Sequence, residues 1–159
     1  MPDGFVIRDA VPGDRDAVLS FWPHPDRFDR RLASSVSGEE SLLVAVHGDL
    51  TAGIVGIRWD GGCDDAARPL LYALEIRAEQ RGRGGGTALI RHVAGLVADR
   101  GFAELTLEVE VANAGAIRLY HRLGFVTAGP HRHVWHSGKS CGIADVLIMH
   151  GGAGDLARR

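Results

Sequence analysis

The stretch that most constrains the fold is a loop rich in glycine and arginine, which joins an apolar strand to a helix. Leu70–Leu74 forms the apolar run, and residues 81–86 hold four glycines and two arginines. Glycine lets bare backbone approach a ligand and adopt positive φ. The helix that follows offers unpaired N–H groups and a partial positive charge. The loop is therefore predicted to cradle a phosphate or pyrophosphate, with Arg81 and Arg83 as additional forked donors.

Three phosphate-loop patterns can be compared with this stretch. A P-loop requires a lysine after its last glycine, and the only lysine of the chain is Lys139. The dinucleotide pattern Gly-x-Gly-x-x-Gly ends on Thr87 or Leu89 instead of glycine. Residues 81–86 match the third pattern, Arg/Gln-x-x-Gly-x-Gly/Ala, in full. This pattern resembles the coenzyme A loop of the GCN5-related N-acetyltransferases (GNAT). A flexible glycine-rich turn is the alternative for the loop taken alone.

Size and composition predict one soluble α/β domain over residues 1–159. A net charge of −2 gives no electrostatic case for a nucleic-acid partner. Cys63 and Cys141 form no CxxC pair, which suits a reducing compartment and gives no zinc signature. We read neither a signal peptide nor a membrane-spanning run, so a cytoplasmic protein without a membrane partner is expected.

Hydrophobic periodicity and turn signals predict the element order β-α-α-β-β-β-α-β-α-β-β. The strand-helix-strand unit in the middle implies a right-handed crossover and parallel pairing, whereas the flanking hairpins imply antiparallel pairing. The expected fold is a mixed, twisted sheet of about seven strands with four helices. We expect a mobile turn at residues 61–65 and a disordered tail at residues 151–159.

A second motif follows the loop at residues 107–125. It reads as a strand, then Asn113 as a helix cap, then Leu119-Tyr120 and finally Gly124-Phe125. With the loop, it makes the chain resemble the GNAT superfamily, closest in motif to enzymes that acetylate protein N-termini, including those of ribosomal proteins. Many small-molecule acetyltransferases share the same pattern.

The resemblance implies a sheet that splays open between a fourth strand, Leu70–Arg77, and a fifth strand, Leu105–Val111. A bulge in the fourth strand would free backbone groups for the pantetheine of acetyl-CoA, and the amine acceptor would enter from the other side. No metal is expected. The implied cofactor-binding residues are Glu75, Ile76, Arg81, Gly82, Arg83, Gly84, Gly85, Gly86, Thr87, Asn113 and Tyr120.

The implied chemistry is attack of a neutral amine on a thioester in a ternary complex. A base must take a proton, and the resemblance places Glu108 in that role, with Glu75 as second candidate. The Ile76 N–H is expected to stabilise the oxyanion, and Tyr120 to protonate the leaving sulfur. The alternatives are that Glu108 lies on a solvated strand face, that Tyr120 is a core residue, and that Asn113 only caps a helix.

Other features leave several functions open. His131, His133 and His136 cluster near Cys141, and we interpret them as acceptor-pocket rim or hairpin surface rather than a metal site. The helix region with Trp22, Arg27, Phe28 and Arg30 is expected to shape the acceptor site.

One competing function is a CoA-binding sensor that transfers nothing. The other is a small nucleotide-binding protein, because Glu104 stands about twenty residues past the loop, where a dinucleotide site has its acidic residue. The acceptor could be a peptide N-terminus or a small molecule such as an amino acid, polyamine or antibiotic. A homodimer through the final strands is possible.

Overall fold

The computed structural model describes residues 4–61, 67–137 and 140–158, and of residues 133–144 the backbone alone. The strands are β1 Val6–Asp9, β2 Glu40–His47, β3 Leu50–Arg58, β4 Leu70–Ile76, β5 Glu104–Glu110, β6 Val126–Ser137 and β7 Ser140–Gly152. The helices are α1 Arg15–Leu19, α2 Pro25–Ser37, α3 Gly85–Asp99, α4 Ala114–Leu123 and α5 Ala153–Arg158. Two single 3₁₀ turns, Pro12–Asp14 and Ala78–Gln80, precede α1 and the glycine loop. The predicted element order is confirmed, with α5 added.

The strands form one mixed sheet in the order β1-β2-β3-β4-β5-β7-β6. In the described part of the chain, β4 and β5 form the only parallel pair, and their register covers just Leu70↔Thr106 and Leu71↔Leu107. Beyond these residues the two strands separate, while β4 stays paired with β3 and β5 with β7. The predicted splay is therefore present, and we call the space between the two strands the gap.

A bulge in β4 precedes the gap-lining end of the strand. Ile54 pairs with Glu75 and Gly56 with Tyr72, so one residue of β3 lies opposite Ala73 and Leu74 together. Ala73 has a φ of 57°, the only positive φ outside glycine in the described residues. This conformation is uncommon for a residue with a Cβ and marks a local departure from regular strand geometry.

After the bulge, β4 directs a backbone N–H group into the gap. The Arg77 N–H donates to the Ala52 carbonyl on the β3 side at 2.7 Å. Because successive residues of a strand direct their backbone groups to opposite edges, the Ile76 N–H and carbonyl point to the β5 side. The predicted bulge therefore exists, centred two residues before Glu75, and the backbone of Ile76 faces the gap.

Helices cover both faces of the sheet. The face that carries α3, α4 and α5, here called the α3 face, holds the larger core, which includes Leu89, Val93, Leu105 and Leu107. The opposite face, here called the α2 face, carries α1 and α2 over a smaller core that includes Phe28. The gap connects the two faces, so a molecule bound on one side can meet a molecule on the other. No helix in the described residues combines the length and apolarity that crossing a bilayer requires.

The expected disorder of residues 151–159 is wrong for the described residues 151–158. Gly151 and Gly152 complete β7 opposite Leu105 and Glu104, and α5 follows directly. Leu156 of α5 is 2% exposed. A Cβ on Gly151 would lie 2.6 Å from the Leu156 side chain, so the glycine permits close packing at this point. Most of the expected turn at residues 61–65 lies outside the described residues.

Candidate active site

The gap opens on the α3 face into a cavity of about 730 Å³. Its walls come from the end of β4, the glycine loop, the first turn of α3 and the exposed side of α4. The lining residues are Leu74, Glu75, Ile76, Gln80, Arg81, Gly82, Gly84, Gly85, Gly86, Thr87, Asn113, Gly115, Ala116, Arg118, Leu119, Tyr120 and Arg122. Of the predicted cofactor-binding residues, all but Arg83 line this cavity.

The glycine loop adopts a conformation that requires glycine. Gly82 and Gly84 have φ values of +79° and +86°, and nothing lies within 4 Å of a Cβ built on either residue. Their need for glycine is therefore conformational and not a matter of space. Gly84 is the N-cap of α3 and offers no side chain to satisfy the first-turn N–H groups. These N–H groups lack a side-chain cap, and their use by a ligand in the cavity stays a prediction.

Arginines surround the cavity on two sides. Arg81 donates to a Glu75 carboxylate oxygen at 2.7 Å and to the Ile76 carbonyl at 3.1 Å, which ties the loop to the end of β4. Arg118 and Arg122 line the wall formed by α4, and our sequence reasoning missed them. Their spacing of four residues on the polar face of an amphipathic helix was the available signal. Arg83 is exposed outside the lining residues.

Tyr120 lies at the inner end of the cavity and is 8% exposed. Its ring meets Phe125 edge-on with centroids 5.7 Å apart, which fixes the side chain in the core. Burial, and secondarily the negative charge of Glu75, raises the pKa of Tyr120 to about 12. The phenol is therefore protonated at neutral pH and can donate a hydrogen bond or a proton into the cavity.

Glu75 reaches both sides of the gap. It pairs with Ile54, which belongs to the α2-face core. Because directly opposite residues of two strands have their side chains on the same face, the Glu75 side chain starts on the α2 face. Its side chain is 35% exposed and lines the cavity beside Tyr120. It is also close enough to His24, which precedes α2, to act on that ring electrostatically. Glu75 thus acts on groups of both faces, His24 on one side and Tyr120 on the other.

Glu108, the first candidate for the base, lies on the side of β5 that faces away from the α3-face core. Leu107 and Val109 face the α3-face core, so Glu108 between them points to the α2 face. It is half-buried, pairs with Ile148 of β7, and does not line the cavity. Tyr120 and Glu108 therefore lie on opposite faces of the sheet, with the gap between them.

Asn113 caps α4, which is one of the two roles expected for it from the sequence. Its Oδ1 accepts a hydrogen bond from the Ala116 N–H at 3.1 Å. The side chain also lines the cavity. The capping bond fixes the start of α4 and so positions Arg118 and Tyr120 along the cavity wall.

The α2 face holds a network of charged and aromatic side chains near the start of the gap. The Tyr72 hydroxyl donates to Glu40, Arg31 bonds the same carboxylate at 3.1 Å, and the Arg31 guanidinium lies 4.2 Å from the centre of the Tyr72 ring. Phe28 and Trp22 are 0% and 8% exposed. Both shape this face from within the core, while Arg30 is exposed.

The predicted histidine cluster is only partly described. His131 is exposed on β6 opposite Val146, and the side chains of His133, His136 and Cys141 fall outside the described set. Among the residues whose side chains are described, no group of three or more His, Cys, Asp or Glu could hold a metal ion.

Comparison with known proteins agrees with this geometry. The family model described as the acetyltransferase (GNAT) family matches residues 10–125. Streptothricin acetyltransferase of Streptomyces lavendulae is 33% identical over 132 residues, which cover 80% of this chain and 66% of that relative. The chain thus spans slightly less than two thirds of the relative's length.

Solved structures share the fold. The ribosomal-protein-S18-alanine N-acetyltransferase of Escherichia coli superposes with a TM-score of 0.72 at 22% identity, over 94% of each chain. The Salmonella typhimurium protein yncA, solved with its cofactor acetyl-CoA, has a TM-score of 0.73 at 17% identity over 94% of each chain. The family match over most of the chain and the shared fold confirm the predicted resemblance: this protein belongs to the GNAT acetyltransferase family.

Proposed function

We propose that this protein transfers the acetyl group of acetyl-CoA to a primary amine by direct attack in a ternary complex. One observation carries the proposal: a single cavity joins a loop of unpaired N–H groups at one end to Tyr120 and Glu75 at the other. A pyrophosphate held by the loop and the first turn of α3 would direct the thioester along the cavity toward the gap. Arg118 and Arg122 would add positive charge along the α4 wall.

The residues at the inner end supply what acyl transfer to an amine requires. The Ile76 N–H faces the gap and can donate to the oxyanion that forms when the amine attacks the carbonyl carbon. As the carbon–sulfur bond breaks, the Tyr120 hydroxyl gives its proton to the thiolate. The attacking nitrogen must also lose a proton, and in this proposal Glu75 accepts it and returns a proton to Tyr120.

Glu108 is the alternative base in this proposal. It lies on the α2 face, from which the amine would enter, and the family resemblance assigns a base to its place in the motif. Matched variants Glu75→Gln and Glu108→Gln distinguish the two, because each keeps the side-chain shape and removes the ability to accept a proton. The larger fall in kcat at saturating acetyl-CoA identifies the base.

The acceptor is the open part of the proposal. The names of similar proteins point to chemically different acceptors, since one is named for streptothricin and another for an alanine of ribosomal protein S18. An α-amine has a pKa near 7.7–8.0 and a lysine amine near 10.4, so the α-amine needs less help to become neutral. We also propose a cytoplasmic location, which suits the lone cysteines, and a homodimer through the last strands.

The test measures release of CoA from acetyl-CoA with a panel of amines: peptides with free N-termini, lysine, polyamines and an amine antibiotic. The proposal expects saturable, amine-dependent release and tight CoA binding by calorimetry. Tight CoA binding without release for any amine would favour the CoA-binding sensor instead. Absence of CoA binding would contradict both functions.

A further inference from the structure

The segment that joins α1 to α2 lies on the α2 face against the end of β4, since the Arg77 guanidinium lies 4.9 Å from the centre of the Phe21 ring, and this segment contains a histidine. His24 lies between Pro23 and Pro25, so its neighbours restrict the backbone on both sides. Its N–H donates to the Trp22 carbonyl at 2.8 Å, and its carbonyl accepts the Phe28 N–H at 2.9 Å. The imidazole packs edge-on against Trp22, with ring centroids 5.0 Å apart. The ring is therefore held in one place while remaining half-exposed.

The charges around His24 favour a neutral imidazole. The residue is the N-cap of α2, where the helix dipole disfavours a positive charge. Among the described residues, the charged groups acting on the ring are Arg27, one turn further along α2, and Glu75 of β4. Burial, followed by the charge of Arg27, lowers the pKa of His24, and Glu75 opposes this shift. At neutral pH the ring can therefore accept a proton.

The proposed reaction must provide a destination for two protons. An ammonium acceptor becomes an amide and so loses two protons from its nitrogen. One of these ends on the sulfur of CoA, through the exchange between Glu75 and Tyr120 on the cavity side. The other must leave for solvent before attack, because a protonated amine has no lone pair to offer. A group on the amine's side of the gap, with partial exposure to water, can accept this proton and release it to solvent.

We propose that His24 is a further catalytic residue, which takes the first proton from the acceptor ammonium on the α2 face and releases it to water. The nitrogen–hydrogen bond of the ammonium breaks, its electron pair stays on nitrogen, and the proton passes to the imidazole. The freed amine then attacks the thioester carbonyl across the gap. Glu75, within electrostatic reach of both His24 and Tyr120, takes up the second proton. This inference rests on the proposed acetyl transfer.

The first test is the pH profile of kcat/KM with an acceptor whose amine pKa lies above 9. Such an amine stays protonated over the tested pH range, so its own ionisation affects the profile of every variant equally. The wild type is expected to gain activity as the pH rises through the pKa of His24, which burial and the charge of Arg27 hold below the ordinary value of an imidazole. His24→Gln should lose this rise and fall by about 100-fold at pH 7. His92→Gln, an exposed histidine on α3, is the matched control and should keep the profile.

Two further measurements separate a proton acceptor from a structural histidine. Free imidazole should restore activity to His24→Ala in a concentration-dependent way, which a packing role would not allow. In an NMR titration of the whole protein, Glu75→Gln should lower the pKa of His24 further, because the opposing carboxylate charge is gone. This titration requires no turnover, so it tests the contact between the two groups even if no amine in the panel is acetylated.

The outcomes are decisive in both directions. An unchanged rise in His24→Gln, an absence of imidazole rescue, or an unshifted His24 resonance in Glu75→Gln would each overturn the inference. A wild type that releases no CoA with any amine would contradict the proposed function, and the titration would still decide whether Glu75 acts on His24.

Discussion

At the scale of single residues, the hydroxyl of Tyr120 is the group whose removal most directly tests the chemistry. Burial raises the pKa of Tyr120 to about 12, above its ordinary value of 10.0, so the phenol stays protonated through the neutral and mildly alkaline range. Tyr120→Phe keeps the ring against Phe125 and removes only the proton donor. We expect kcat to fall by about 10²–10⁴-fold while the affinity for CoA changes little. Initial-rate assays at saturating acetyl-CoA measure kcat, and calorimetry with CoA measures the affinity.

Tyr72 is the matched control for this change, since it is the other tyrosine of the chain. Its hydroxyl donates to Glu40 on the α2 face, outside the cavity. We expect Tyr72→Phe to cost about 1–3 kcal/mol of stability and to leave kcat within a few-fold of the wild type. A Tyr120→Phe variant with full kcat would assign Tyr120 to the core alone.

At the scale of elements, the glycine loop and α3 depend on one left-handed residue. Gly84 has a φ of +86°, and nothing lies within 4 Å of a Cβ built there. An alanine at this position would therefore strain the backbone without a steric clash. We expect Gly84→Ala to cost about 1–2 kcal/mol of stability and to weaken CoA binding, because relief of the strain would turn the loop N–H groups away from the cavity. Thermal unfolding and calorimetry check both effects.

Gly95 provides the control within the same helix. It lies in the middle of α3 with nothing within 4 Å of a Cβ. We expect Gly95→Ala to stabilise the protein by about 0.5–1 kcal/mol through helix propensity, with CoA affinity unchanged. Equal effects of the two substitutions would mean that the left-handed conformation of Gly84 has no part in the binding loop.

The elements also show which parts of the site sequence patterns can predict. The cap at Asn113 and the strand before it were predicted because each follows from short-range chemistry. The bulge in β4 was expected only from the family resemblance, since alanine gives no local signal for the positive φ at Ala73. The distance between Glu108 and Tyr120 was beyond local patterns as well, because it depends on how far the two strands part.

At the scale of the whole molecule, the mixed sheet could be predicted because element order and crossover rules leave few topologies. The splay came from family resemblance, since no local pattern states that two parallel strands should separate after two residue pairs. The end of the chain was mispredicted for a physical reason. Glycines at 151 and 152 resemble a disordered tail in sequence, whereas in the fold they allow α5 to pack closely on β7 and α3.

The docking of α5 gives a prediction for the stability of the whole domain. Leu156 is 2% exposed and joins the α3-face core that also includes Leu105 of β5 and Phe125. Because the side chain fills space between the sheet and α3, Leu156→Ala should leave a cavity and lower the free energy of unfolding by about 2–5 kcal/mol. Val36→Ala is the control: that side chain on α2 is 82% exposed, so its loss should change stability by no more than about 0.5 kcal/mol. Urea unfolding of both variants measures the difference. Equal midpoints would place α5 outside the cooperative core, while a selective loss for Leu156→Ala would show that the last residues help to hold β5 at the edge of the gap.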